Sequence, residues 1–386
     1  MSGTTADVVI VGAGIMGVST AYHLARRRAG RILVLERDDV CSGSTALASG
    51  GIRHQYTHRV GIELTCRSIE TYENFREEFG VDPQFRQHGY LILVTTEAEQ
   101  AQAERNVALQ RSLGVDVTLI SADETHRRFP YLATGDLRGA TFSPRDGYAD
   151  PYLATTAIAA RARALGVTIR TGCEVTGFVR RSEAVEGVIT REGEVTAPVV
   201  VVATGAWSGV VGRLAGVDIP VQPLRRSKFI TAPFPFEKIP EATPFVIDPH
   251  LGISLRREGA GVLMGIGRRE EAGSFSTTLD WSLAEPLVER AVHRAPVLAD
   301  AQLMRTWTGL YEMTPDQTGI VSTVPGLDGL HVIAGFSGHG FMHGPIAGQL
   351  MAELITEGRA TSIDIAPLAI DRFARGETAV ETLTFT

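Results

Sequence analysis

Four apolar residues, Val8–Val11, run without interruption into Gly12-Ala13-Gly14-Ile15-Met16-Gly17. Behind the glycines, Ile15, Val18, Ala21, Tyr22 and Ala25 recur at helical spacing, and Arg26-Arg27-Arg28 stand at the negative end of that helix. The pattern predicts a buried strand, a tight turn and an amphipathic helix over 15–28. A second apolar run, Ile32–Leu35, predicts a strand ending at Glu36. Helices are expected at 58–79, 97–113, 122–129 and 150–165. Ser121 with Glu124 predicts a cap for the third of these, and Asp150-Pro151 for the fourth. Strands are expected at 90–95, 167–170, 175–180 and 199–203. From about 220 to 325 short apolar segments alternate with Pro and Gly, as in an antiparallel sheet, interrupted by a helix at 283–295. A final apolar strand at 330–334 enters the glycine loop 335–345, followed by a helix at 346–357.

The fold class is therefore α/β: a discontinuous Rossmann-like domain with an inserted antiparallel mixed-sheet substrate domain. The expected division is 1–85, 148–220 and 325–366 for the nucleotide domain, 86–147 and 221–324 for the substrate domain, and 367–386 for a C-terminal tail. Gly12 permits the turn, Gly14 the approach of a pyrophosphate, and Gly17 close packing of helix on strand. The free N–H groups from Ile15 and Met16 suit a phosphate. Glu36 is placed to accept from an adenosine ribose. The small residues that follow, Ser44, Thr45, Ala48, Ser49, Gly50 and Gly51, read as backbone laid against a large ligand. A nicotinamide cofactor could use the first motif alone. The strand end at Ala203-Thr204-Gly205 and the C-terminal glycine loop favour a flavin dinucleotide instead, with the last helix aiming its positive end at the flavin ring.

Composition narrows the partners. A net charge of −7 argues against nucleic acid. Cys41, Cys66 and Cys173 form no disulfide framework or metal motif, so the expectation is a reducing cytoplasm. No run is long and apolar enough to span a membrane, and no signal peptide is expected before the first strand, since 1–6 is too short and lacks a basic region. Lysine occurs only at Lys228 and Lys238, so any mechanism that needs one has two candidates.

Val11 to Gly17, Glu36-Arg37, the loop from Gly43 to Gly51, Ala203-Thr204-Gly205-Ala206-Trp207 and Gly335-Phe336-Ser337-Gly338-His339-Gly340-Phe341 resemble the FAD-dependent D-amino-acid oxidase superfamily over essentially the whole chain. The segment from Gly309 to Asp316 is similar to its branch of sarcosine oxidases, glycine oxidase and L-proline dehydrogenase catalytic subunits. The resemblance implies non-covalent FAD, held also by Arg37, Val175, Thr204, Gly205, Trp207, Gly335, Gly338, His339, Gly340, Phe341 and Met342. It implies oxidation of a C–N bond of a small amino acid or amine, with hydride passing to flavin N5 and an imine as product. A secondary or cyclic, sarcosine- or proline-like substrate is expected. The electron acceptor is oxygen or a partner protein or quinone, and a homo- or hetero-oligomer is compatible with this. A flavoprotein without turnover, serving as a subunit or assembly factor, is the alternative; a nicotinamide dehydrogenase ranks below it.

Arg53 is the first candidate for substrate binding, because a guanidinium fork suits a carboxylate and the resemblance gives the Ile-Arg-His element that role. His54 is a candidate general base. His54 and His58, and His339 and His343, have helical metal-ligand spacing without the Glu of a zinc protease, so no metal is expected. The resemblance places His339 by the flavin ring and Tyr311 over the substrate. Arg305 is a candidate second anion anchor. Gly309 stands where sarcosine oxidase has its flavin-linking cysteine. Met342 stands at that enzyme's second carboxylate-binding lysine, and Met264 at its oxygen-activating lysine. The expectation is therefore slow reaction with oxygen, and a dehydrogenase rather than an oxidase.

Overall fold

A computed structural model describes residues 4–267, 272–378 and 380–383. The nucleotide-side sheet has six strands in the order Ile320–Thr323, Leu330–Ala334, Val199–Val202, Val8–Val11, Ile32–Leu35, Thr168–Arg170. All of its neighbours pair in parallel except the first two. The inner strands of such a sheet are buried on both faces, which is why Val8–Val11, Ile32–Leu35 and Val199–Val202 read as unbroken apolar runs. The alternation is still present. Val8, Ile10, Val34, Val201 and Ile333 pack on the helices Ile15–Arg26 and Gly340–Glu357. Val9, Val11, Leu33, Leu35 and Val200 pack on a four-stranded sheet that contains Val175–Arg181 and Ala184–Thr190. The result is three layers: helices, parallel sheet, second sheet.

The larger sheet has eight strands, in the order Leu303–Met313, Gln222–Thr231, Gly261–Ile266, Ile253–Glu258, Phe245–Asp248, Tyr90–Val94, Gly139–Ser143, Thr118–Ser121. It is antiparallel throughout except where Phe245–Asp248 meets Tyr90–Val94. One face, with Phe229, Leu255 and Met264, is sealed by the helix Ala284–Arg294. The opposite face carries Tyr90, Ile92, Phe245 and Ile247 and looks toward the nucleotide side. Ile320–Thr323, expected in the substrate domain, pairs instead with Leu330–Ala334 in the six-stranded sheet.

Two helices depart from the sequence expectation. The span 58–79 breaks at Asn74 into Arg59–Glu73 and Phe75–Phe79, and the His58 ring caps the first by accepting from the Gly61 N–H. The last long helix begins at Gly340, six residues before the expected start at 346, and carries Pro345 inside it. A proline there leaves the carbonyl four residues earlier, on Phe341, without its helical donor. The Tyr72 hydroxyl donates to that carbonyl, so the helix continues through the proline. The tail is tied down: Arg372 makes a buried pair with Asp316 at 2.8 Å, and Glu381 accepts from the Thr57 N–H at 3.0 Å. Among the described residues no helix is long and apolar enough to cross a membrane.

Candidate active site

Two cavities meet between the sheets. The larger, about 440 Å³, is lined from Glu36 and Arg37 at one end, past Gly12, Gly14, Ser44 and Thr45, to Tyr311, Gly338 and Phe341 at the other. Its volume falls within the range of about 300–1,000 Å³ usual for small-molecule sites. Gly12, at φ +106°, turns so tightly that a Cβ would stand 2.4 Å from the Ala203 carbonyl oxygen. Glu36 holds this turn, with Oε2 accepting from the Ala13 N–H at 2.7 Å and Oε1 from the Asp38 N–H. Thr45 Oγ1 accepts from the Ile15 N–H at the helix start. Ser44 Oγ is buried against the cavity with no partner among the described residues. An orphaned hydroxyl beside a helix N-terminus fits a phosphate oxygen. At the far end Arg37 stacks over the Trp207 ring at 4.2 Å, making a flat wall suited to a purine.

Ile15, Met16, Ala48, Val175, Thr204, Gly205 and Gly340 also line this cavity. Gly17 and Gly335 do not. A Cβ on Gly17 would lie 1.9 Å from the Gly12 carbonyl oxygen, and one on Gly335 2.4 Å from Thr314, so both serve packing. Ser49, Gly50, Gly51, His339 and Met342 line the second cavity instead.

That second cavity is about 70 Å³ and is walled by one face of the eight-stranded sheet. Arg53 and His339, far apart in sequence, meet here: Arg53 Nη2 lies 2.9 Å from His339 Nε2. A guanidinium only donates, so Nε2 accepts and the His339 proton resides on Nδ1. Burial, then the Arg53 charge, hold His339 well below the usual histidine range, consistent with a neutral ring. Arg53 also donates to the carbonyls of Gln55 and Leu383 and lies over the Tyr56 ring at 4.5 Å. Tyr56 in turn donates to Met342 Sδ at 2.8 Å. Tyr311 lines both cavities, and its ring packs against Gly338 (φ +90°), where a Cβ would be 2.5 Å away.

Three expectations are corrected. Arg305 is exposed and lines neither cavity. His54 lines neither; its Nδ1 lies 2.5 Å from Asp146 Oδ1 on a buried carboxylate, which makes it part of a structural network with Gln55. Met264 is in the apolar core opposite Phe229, yet a lysine does reach the site. Lys228, on the adjacent strand, lines both cavities, with Nζ 5.8 Å from the Tyr311 ring centroid. Its partner across the ladder is Gly265, and a Cβ there would be 3.1 Å from Nζ. Burial lowers the Lys228 pKa. Arg226 shares its strand face and also lines both cavities. The scarcity of lysine in the chain was the available signal for Lys228. Among the described residues no group of three His, Cys, Asp or Glu side chains is placed to hold a metal.

Residues 7–354 match the family described as DAO, FAD dependent oxidoreductase. The FAD-dependent oxidoreductase domain-containing protein 1 of Bos taurus is 32% identical over 431 residues, covering 97% of this chain and 86% of the relative. Sarcosine oxidase subunit beta of Arthrobacter sp is 31% identical over 377 residues, covering 96% of this chain and 91% of that one. Among solved structures, L-proline dehydrogenase from P. horikoshii superposes with a TM-score of 0.91 at 32% identity, covering 98% of this chain and 100% of that one. The glycine turn, the orphaned Ser44 hydroxyl and the long cavity fit FAD, and the chain belongs to the DAO family of FAD-dependent oxidoreductases.

Proposed function

We propose that this chain oxidises the C–N bond of a small amino acid, secondary or cyclic, bound by its carboxylate in the second cavity. The observation that carries the reading is the lining of that cavity: Arg53, Arg226 and Lys228 with Tyr90, Phe245 and Tyr311, and no acidic side chain among the described residues. Cations attract a carboxylate, and aromatic faces accept a short aliphatic chain or ring. A cavity of about 70 Å³ suits a substrate of few atoms. The names of two relatives, a sarcosine oxidase subunit and an L-proline dehydrogenase, are in keeping with this class.

Bound FAD supplies the two-electron oxidation. The protein's part is to place the substrate. Lys228 and Arg53 attract the carboxylate, Tyr311 covers the substrate, and neutral His339 fixes the Arg53 guanidinium. A neutral His339 adds no charge that would oppose loss of electrons from an amine.

The test is anaerobic: the flavin-loaded protein is mixed in turn with sarcosine, L-proline, glycine, D-amino acids and N-methylated amines or polyamines that lack a carboxylate. Bleaching by secondary amino acids, and not by amines without a carboxylate, is the expected result. Bleaching only by the latter would overturn the reading. Admission of air afterwards distinguishes oxygen from a partner protein or quinone as acceptor.

A further inference from the structure

Glu312 lies on Leu303–Met313, and its carboxyl is buried where the two cofactor-facing motifs converge. Oε1 accepts the Phe336 backbone N–H at 3.3 Å. Among the described residues Oε2 has no hydrogen-bond partner, although the side chain lines the larger cavity. The residue is 8% exposed. Glycine stands on each side of it: a Cβ on Gly205 would be 3.5 Å from Oε2, and one on Gly340 would be 3.1 Å from Oε1. The Gly340 position is also 3.6 Å from Met16 Cε, in the first turn of the pyrophosphate helix. Glu312 therefore sits beside Gly205 and the helix start at Gly340, close to the first turn of the pyrophosphate helix.

A buried carboxyl with one bare oxygen is costly unless a ligand supplies the missing donor. Burial pushes the Glu312 pKa up to about 7 against the opposing N–H groups of Gly335 and Phe336. The chemistry of FAD decides what can meet the bare oxygen. A phosphate would be repelled by the carboxylate, and the flavin and adenine rings would lie at the two ends of the cavity. Between its pyrophosphate and its flavin ring, FAD would offer the uncharged hydroxyls of the ribityl chain. We propose that Glu312 is a cofactor-binding residue whose Oε2 accepts a hydrogen bond from a ribityl hydroxyl. The assignment rests on FAD as cofactor and is independent of which amine is oxidised.

The experiment titrates apo-protein with FAD and, separately, with ADP, which carries the adenosine and pyrophosphate but no ribityl chain. Glu312→Ala is expected to weaken FAD binding about ten- to one-hundredfold, the scale of one hydrogen bond to a charged group. ADP binding should change less than about twofold, which also shows that the nucleotide half is folded. The near-isosteric Glu312→Gln should weaken FAD by a smaller factor, again without effect on ADP. Unchanged FAD affinity in Glu312→Gln and Glu312→Ala would overturn the proposal. Equal losses of FAD and ADP affinity would also overturn it, since they would assign Glu312 to the fold and not to the ribityl chain.

Discussion

Tyr72 donates its hydroxyl to the Phe341 carbonyl at 2.7 Å, the carbonyl to which Pro345 can offer no N–H. Both groups are buried. Tyr72→Phe leaves that carbonyl unsatisfied beside the cofactor cavity, so the cost is about 1–3 kcal/mol. Denaturant unfolding of the apo-protein measures it, and the flavin absorption of loaded protein should shift as the first turn at Gly340 loosens. A variant as stable as the parent would show that water serves the carbonyl equally well.

Arg53→Lys keeps the charge and loses the fork. With a substrate found by the anaerobic screen, KM is expected to rise about ten- to one-hundredfold with the flavin spectrum retained. Loss of flavin instead would make Arg53 a cofactor-loop residue, held by His339 and the Leu383 carbonyl for structural reasons.

Lys228 bears on the electron acceptor. An ammonium in a dry site stabilises the anion that forms when oxygen takes an electron. Lys228→Met should slow reoxidation of the reduced flavin by air about tenfold or more, read by stopped-flow absorbance. The pH dependence has a definite sign. Because burial lowers the Lys228 pKa, the charge is present at low pH and is lost before pH reaches the usual lysine range. Reoxidation of the parent should therefore slow as pH rises, and that of Lys228→Met should not follow the same curve.

Glu353 supplies a stability test away from the chemistry. Burial alone would raise its pKa, but the Ser362 hydroxyl, Gln349 and the N–H groups of Ser362 and Thr361 bring it down to about 2. A depressed carboxylate pKa contributes stability above its unfolded value and loses it as pH falls through the folded value. The advantage of the parent over Glu353→Gln, followed by thermal unfolding, should be complete near neutral pH and vanish between about pH 4.5 and pH 2.

The parallel sheet and its glycine turn were legible in the sequence because local rules determine them. Val8–Val11 is apolar throughout since both faces are covered, and Gly12 is required by its own backbone. The start of the last helix was not legible, because the proline rule is local and its exception is supplied by Tyr72, some 270 residues away. Arg53 and His339 were each visible as site residues, but their bond is a tertiary fact. Lys228 and Glu312 were missed for a different reason. Whether a strand residue faces the cavity or the core depends on register, and a one-residue slip exchanges Lys228 with Phe229. Arg305 failed for another reason: it shares the sheet face of Lys228 and Tyr311 but stands further along its strand, beyond both cavities.

The order of strands in the six-stranded sheet has a consequence for biosynthesis. Val8–Val11 lies between Val199–Val202 and Ile32–Leu35, and Leu330–Ala334 closes against Val199–Val202 from the far side. The first helix packs along Gly340–Glu357, and a Cβ on Gly348 would strike the Ser19 backbone at 2.5 Å. During synthesis Ile32–Leu35 follows soon after the pyrophosphate turn, Val199–Val202 comes much later, and Leu330–Ala334 and Gly340–Glu357 later still. Capture of FAD must therefore wait until Gly340–Glu357 has emerged, so the cofactor joins an assembled sheet and helix pair rather than guiding the strands that precede them.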